Sequence, residues 1–389
     1  MAAAQPSHGG RALSVPTPAV SRASCGSALV TEARTATQQR MHCAASATCG
    51  LFFALLASCA NAPTERDADP SAVVSWSVQS IGGDVSLRAV SAPNEQVVWA
   101  SGSKGTVIRT VDAGASWVRC APPDATALDF RSLVAFDAKR AVIASAGTPA
   151  RVYRTDNGGS SWLLAHEDAR EAAFFDAIAF ADDQRGYLIA DPIEGALPWM
   201  ETRDGGASWQ PIPAAFLPKP QDGEAMFAAS CSCVGVRGDD LWVVTGGTKS
   251  RLLSSSSRGR GFASRSLPML QGVASQGAFS IAPVGEHGLV VVGGDYRDEP
   301  RGEGSACWSD DDGASWHASA GSLAYRSAVA TTADGALCVA VGPSGTSVSR
   351  DEGRSFSIAS PIGFHALAIQ GTLLVAVGSE GRIGIAALP

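Results

Sequence analysis

Apolar residues in this chain gather in runs of three to five and then stop at a glycine or a polar residue, and no long stretch keeps a helical period. Val97-Val98-Trp99-Ala100, Val142-Ile143-Ala144, Leu241-Trp242-Val243-Val244, Leu289-Val290-Val291-Val292 and Leu337-Cys338-Val339-Ala340-Val341 are the clearest runs. A short unbroken apolar run bounded by turn residues reads as a strand buried on both faces. With Gly 42 and Pro 21 punctuating 389 residues, the pattern predicts an all-β fold of short strands and tight turns.

Between the runs one octad repeats. Thr110-Val111-Asp112-Ala113-Gly114-Ala115-Ser116-Trp117 recurs as Thr155 to Trp162 with Asn157 in the Asp place, as Thr202 to Trp209 around Asp204, and as Ser309 to Trp316 around Asp311. Ser349 to Phe356 keeps Asp351 and Gly353, and Ser255 to Phe262 keeps only the serine, Gly259 and the aromatic. The residue types suit a hairpin turn: a carboxylate accepts backbone N–H groups, glycine takes positive φ, and an aromatic wedges between sheets. Asp112, Trp117, Asn157, Trp162, Asp204, Trp209, Asp311, Trp316 and Asp351 are therefore assigned structural roles. Each repeat holds two apolar strands, the strand before the octad and the strand that carries its aromatic. Four-stranded units at a period of 40 to 54 residues are propeller blades.

Six octad aromatics mark six blades. A seventh begins at Gly363-Phe364-His365-Ala366-Leu367, and the sequence stops at Pro389 before its outer strand. Val74-Ser75-Trp76-Ser77-Val78 has the form of the missing strand. The expectation is one seven-bladed β-propeller of four-stranded antiparallel blades over 73–389, its ring closed by the strand around Trp76, which removes an exposed edge.

Ahead of the repeats lies a different composition. Residues 1 to 40 are rich in Ala and Ser with Arg11, Arg22, Arg34 and Arg40, and an apolar run follows from Leu51 to Leu56. It is too short for a permanent bilayer span and ends in Leu56-Ala57-Ser58-Cys59, which resembles the lipobox of bacterial lipoproteins. We expect a targeting leader over 1–58, lipidation at Cys59, and a flexible tether over 59–72. Translation starts at Met1 or Met41. The chain is thus expected in the cell envelope on the periplasmic side, touching membrane only through that anchor, or else secreted or sent to an organelle. A formal charge of −7 argues against a nucleic-acid partner. Cys120, Cys231, Cys233, Cys307 and Cys338 are scattered and odd in number, so they read as small core residues and not as a disulfide framework.

Aligning the repeats places one residue per blade at the mouth of the innermost strand, on the face opposite the octads: Arg88, Arg131, Asp176, Ala228, Ser280, Arg326 and His365. Turns on the same face carry Lys104, Asp191 to Glu194, Lys249, Asp295 to Glu299 and Glu380. Two readings stand side by side. The arginines pair with Asp176 and Glu224 to plug the channel, or they hold an anionic ligand or partner segment through their guanidinium forks. No G-x-G-x-x-G, G-x-S-x-G or phosphate-binding loop is present, and His166, His287, His317 and His365 lack metal-ligand spacing. No metal or cofactor is indicated.

Over Arg88 to Pro389 the repeats resemble the BNR/Asp-box superfamily, in particular the photosystem II stability/assembly factor-like propellers. That resemblance implies a non-catalytic, chaperone-like binder of a protein with an arginine patch, to which Arg88, Arg131 and Arg326 correspond; a monomer is expected. Sialidases share the same turns and grip a substrate carboxylate with three arginines. That alternative implies a glycoside hydrolase with Tyr296 or Tyr325 as nucleophile, Glu224 as its partner and Asp176 as acid, although the Arg-Ile-Pro signature is absent.

Overall fold

Each apolar run becomes the second strand of a four-stranded antiparallel blade. Every residue of Val98–Gly102, Gly186–Ala190, Cys338–Gly342 and Leu373–Val377 is buried. Neighbouring sheets cover both faces of these strands, which is why their residues are apolar without alternation. The outer strands do the reverse, and Val118–Arg119 and Ala263–Ser266 are fully exposed. This is a computed structural model, and it describes residues 74–388. The leader, Cys59 and the tether lie outside the described residues.

Seven sheets form in chain order, each a meander from the axis outward. Their innermost strands are Leu87–Ser91, Asp129–Ala135, Phe175–Phe180, Val234–Arg237, Gln276–Val284, Ala328–Thr331 and Ala366–Gln370. We call the sheets blades 1 to 7. The protein is an all-β seven-bladed propeller, and its only described helical pieces are the short 3₁₀ turns Ala214–Phe216 and Ser379–Gly381. One sheet has six strands, because Glu224–Ala225 and Gly246–Gly247 add to the inner edge of blade 5.

The ring closes at blade 7. Ser77–Ser80 pairs antiparallel with Arg382–Ala387, from Ser77 opposite Ile385 to Ser80 opposite Arg382. The closing strand is the expected one and begins three residues later than the sequence pattern suggested. Trp76, just ahead of it, packs at 4.8 Å on Phe364 and donates from Nε1 to Thr346 Oγ1 at 3.1 Å in blade 6. Gln79 reaches the other neighbour, donating to Gly114 O in blade 1.

The octads make one turn over and over. Asp112 Oδ1 accepts from the Ser116 N–H at 2.9 Å and its Oδ2 from Ser116 Oγ at 2.6 Å, while Thr110 Oγ1 accepts the Gly114 N–H. Asp204, Asp311 and Asp351 repeat these bonds. Asn157 accepts the Ser161 N–H and donates to Ser161 Oγ. Gly114 has φ +87°, and a Cβ there would lie 2.2 Å from Ile385 Cδ1, so the turn needs glycine for both backbone and space. Trp162 donates to Cys120 O at 2.8 Å, which ties blade 2 to blade 1.

Candidate binding site at the channel mouth

Seven inner strands begin around the axis, and backbone irregularities decide what they present there. Pairing skips one residue between Leu87 and Ala89, Phe130 and Ser132, Phe175 and Ala177, and Ala278 and Ser280. The residues left unpaired are Arg88, Arg131, Asp176 and Phe279. A bulge of this kind re-aims its side chain away from the sheet face, and all four sit at the same level of the ring. Serines at the next level sew the strands together: Ser132 donates to Asp176 O, Ser280 accepts the Val329 N–H, and Ser327 donates to His365 O.

The segment ahead of blade 4 fills the axis. Ser230 Oγ donates to Ser327 O in blade 6 and Ser232 Oγ to Ser280 Oγ in blade 5, both at 2.7 Å. Cys231, at φ +63°, directs its thiol to Ile178 O in blade 3 at 3.4 Å. A backbone plug therefore closes the channel, in place of the arginine and carboxylate pairs that one sequence reading expected. Arg131 reaches this plug, donating to Ala228 O at 3.5 Å.

Above the plug lies a cavity of about 610 Å³. Arg88, Arg131 and His365 form one wall. Opposite stand Phe227 and Phe279, stacked at 3.8 Å, with Tyr325 edge-on to Phe279 at 4.9 Å and Tyr296 at 6.2 Å. Asp191 and Glu299 also line it.

The charges are unevenly matched. Arg131 Nε pairs with Asp129 at 2.7 Å. Arg88 forms no ion pair among the described residues, and its buried Nε has no hydrogen-bond partner. Burial, and then the neighbouring Arg131 charge, pull the Arg88 pKa below the usual arginine value. Burial and the same two guanidiniums push His365 down to about 3, so its imidazole is neutral and serves as a hydrogen-bonding group. Burial raises Asp191 to about 6, although it accepts the Met226 N–H at 2.8 Å. Asp176 is fully buried, and burial and Asp191 raise its pKa although the Asp191 and Ala228 N–H groups act to lower it. An Arg-rich wall facing aromatic rings in a part-dry cavity suits a carboxylate attached to an apolar group.

Not every residue expected at this mouth is there. Arg326 precedes its predicted position by one residue: Ser327 N–H bonds Val341 O as His365 N–H bonds Val377 O, whereas the Arg326 N–H bonds Gly293 O in blade 5, matching Phe364 to Gly342 O and Leu87 to Gly378 O. A one-residue slip turns a side chain to the opposite face of a strand, and Arg326 points instead into an adjoining cavity. Ser280 slips likewise, leaving Phe279 at the mouth. Ala228 does line the cavity, but from the plug and not from an innermost strand, since blade 4 starts at Val234. Glu224 is held by Arg251, at 2.7 Å to Nε and 2.5 Å to Nη2, and by Thr245 at 2.7 Å. It anchors Glu224–Ala225 and does not line the cavity. Lys104 pairs with Asp84 on the surface. Neither Glu224 nor Asp176 lines the cavity with Tyr296 and Tyr325, and the three arginines do not converge, so the hydrolase constellation is not assembled.

Phe227 and Phe279 were not assigned to the site from the sequence, and Tyr325 entered only as a nucleophile of the hydrolase alternative. The signal for Phe279 was the bulge shared with Arg88 and Arg131; Phe227 lies in the plug, which no repeat pattern announces.

No protein-family model and no curated protein sequence matches the chain. Among solved structures it is similar to YCF48 bound to a D1 peptide, with a TM-score of 0.59 at 14% identity over 82% of this chain and 99% of that one. YCF48 from Cyanidioschyzon merolae aligns with a TM-score of 0.55 at 14% identity, over 80% of this chain and 98% of that one. The WD40 repeats of RRP9 align as well, with a TM-score of 0.57 at 12% identity over 80% and 97%. At these identities the likeness is one of fold.

Proposed function

We propose that this chain is an exported, non-catalytic propeller of the BNR/Asp-box type that binds an acidic segment of a protein partner at the channel mouth. In that role it serves as an assembly or stability factor for a complex of the cell envelope, held to the membrane through Cys59. One juxtaposition carries the reading: Arg88, with no acceptor for its buried Nε, and Arg131 face the Phe227, Phe279 and Tyr325 rings across one cavity. Burying a cation without a partner is costly, and a ligand carboxylate would offset that cost with paired N–H···O bonds. The repeated turns support the Asp-box assignment, and the structure of YCF48 bound to a D1 peptide supports a peptide as occupant.

The test is a pull-down from detergent-solubilised membranes with wild type and an Arg88→Gln/Arg131→Gln variant whose circular dichroism matches wild type. A defined partner lost with the variant supports the reading. Identical co-purifying proteins with both would overturn it.

A further inference from the structure

Arg326 is a buried cation held by neutral oxygens, with Glu299 the opposing charge near it. It is 3% exposed and forms no ion pair among the described residues. Its described hydrogen bonds go to neutral oxygens: Ser347 Oγ from Nε at 3.3 Å and Nη2 at 2.9 Å, and Tyr325 O at 3.0 Å and Ser344 Oγ at 3.2 Å from Nη1. Four of the five guanidinium N–H groups are thereby used, and one Nη2 proton remains. Burial brings its pKa to about 10, with Glu299 the opposing charge nearby.

Arg326 lines a cavity of about 540 Å³, separate from the channel mouth, with Arg297 and Ser344 beside it and Ile358 at its edge. Ile358, on the outer strand Ser357–Ser360, is 76% exposed, more than any other large apolar side chain among the described residues. Tyr296 and Glu299 line this cavity and the channel-mouth cavity alike. The two cavities therefore abut at these two side chains.

We propose that the Arg326 cavity is a second subsite for the same extended peptide, taking a second acidic side chain while an apolar neighbour of that residue covers Ile358. This rests on the channel-mouth reading above and adds a selectivity: the preferred segment carries two acidic residues, one on each side of Tyr296. Arg297, exposed and 5.9 Å from the Tyr296 ring, adds a second cation at the rim. The guanidinium is already oriented by the Ser344 and Ser347 hydroxyls, so a carboxylate gains its bonds with little ordering cost.

The full chain is panned against displayed random peptides of roughly twelve residues, which extend to about 40 Å at ~3.3 Å per residue and so cross both cavities. Selected peptides are titrated by fluorescence anisotropy. Because Arg326 is buried, Arg326→Gln is accompanied by Ser344→Asp, which sets a carboxylate beside the guanidinium from an exposed position and keeps the cation. We expect wild type to enrich peptides with two acidic positions. Each variant should bind them about tenfold more weakly, as loss of one charge-assisted hydrogen bond implies, and should enrich peptides with only one acidic position. If both variants bind wild-type peptides undiminished while Arg88→Gln/Arg131→Gln does not, the second subsite is wrong and the channel-mouth reading stands. If Arg88→Gln/Arg131→Gln also binds undiminished, or wild type enriches nothing, both readings fall.

Discussion

At the scale of single residues, Asp176, buried near the cavity-lining Asp191, carries a cost to the fold. The folded chain holds its carboxyl protonated well above the pH at which the unfolded chain releases it. A raised carboxyl pKa favours the fold at low pH and works against it as pH rises, and Asp191, at about 6, follows the same direction. Asp176→Asn removes the titration and keeps the shape. Its melting temperature should exceed that of wild type at pH 8, with the gain shrinking toward pH 4; an equal shift at both pH values would contradict the buried-charge account. His365 has the opposite sense, since its folded pKa of about 3 lies below the ordinary 6.5. Its contribution is complete above pH 6.5 and declines as pH falls toward 3. Partner affinity should accordingly carry no inflection from His365 between pH 6 and 8, and His365→Gln should leave the pH profile of binding unchanged.

Two elements carry more than their length suggests. The strand Glu224–Ala225 has two residues, and its attachment depends on the buried Glu224 and Arg251 pair. Removing one partner strands the other charge, so Arg251→Ala should cost about 3–5 kcal/mol in urea unfolding. A loss under about 1 kcal/mol would mean that water replaces the pair freely. The closing strand Ser77–Ser80 is exposed along most of its length, and Trp76 is its anchor. Trp76 is only half-buried, so Trp76→Ala should destabilise by about 2 kcal/mol, below the range for a fully buried aromatic. Deleting residues 74–80 should leave the edge of Arg382–Ala387 unpaired and produce concentration-dependent association in size-exclusion chromatography.

For the whole molecule, charge and shape act over different ranges. The formal charge is −7, yet the channel mouth is walled by arginines, so an acidic partner approaches against the net field and is held by local ones. Raising salt screens exposed charges within about 10 Å at 0.1 M. Binding should weaken only modestly between 0.05 and 0.3 M salt, because the Arg88 and Arg131 contacts lie in a part-buried cavity. A loss of more than about a hundredfold would place the contact on the exposed rim instead. The box-turn face has its own order, in which arginines strap one blade to the next, as Arg185 to Asp239 and Arg237 to Asp312.

The seven blades, their four strands and the closing strand were legible in the sequence, because each depends on local chemistry: a run apolar on both faces, a turn that needs Asp and Gly, an aromatic between sheets. Arg88 and Arg131 were legible for the same reason, since both occupy one bulge position in well-kept repeats. Three features were decided only by the tertiary structure. Arg326 against Ser327 is a matter of register, and the pleat has period two, so one residue of slip changes the face without altering the repeat. The plug from Met226 to Ser232 lies in an insertion where no repeat guides alignment, and its serines find their acceptors in blades 5 and 6. Glu224 took Arg251 as partner because burial demands the nearest well-placed cation, and nearness across 27 positions of sequence is a property of the folded ring.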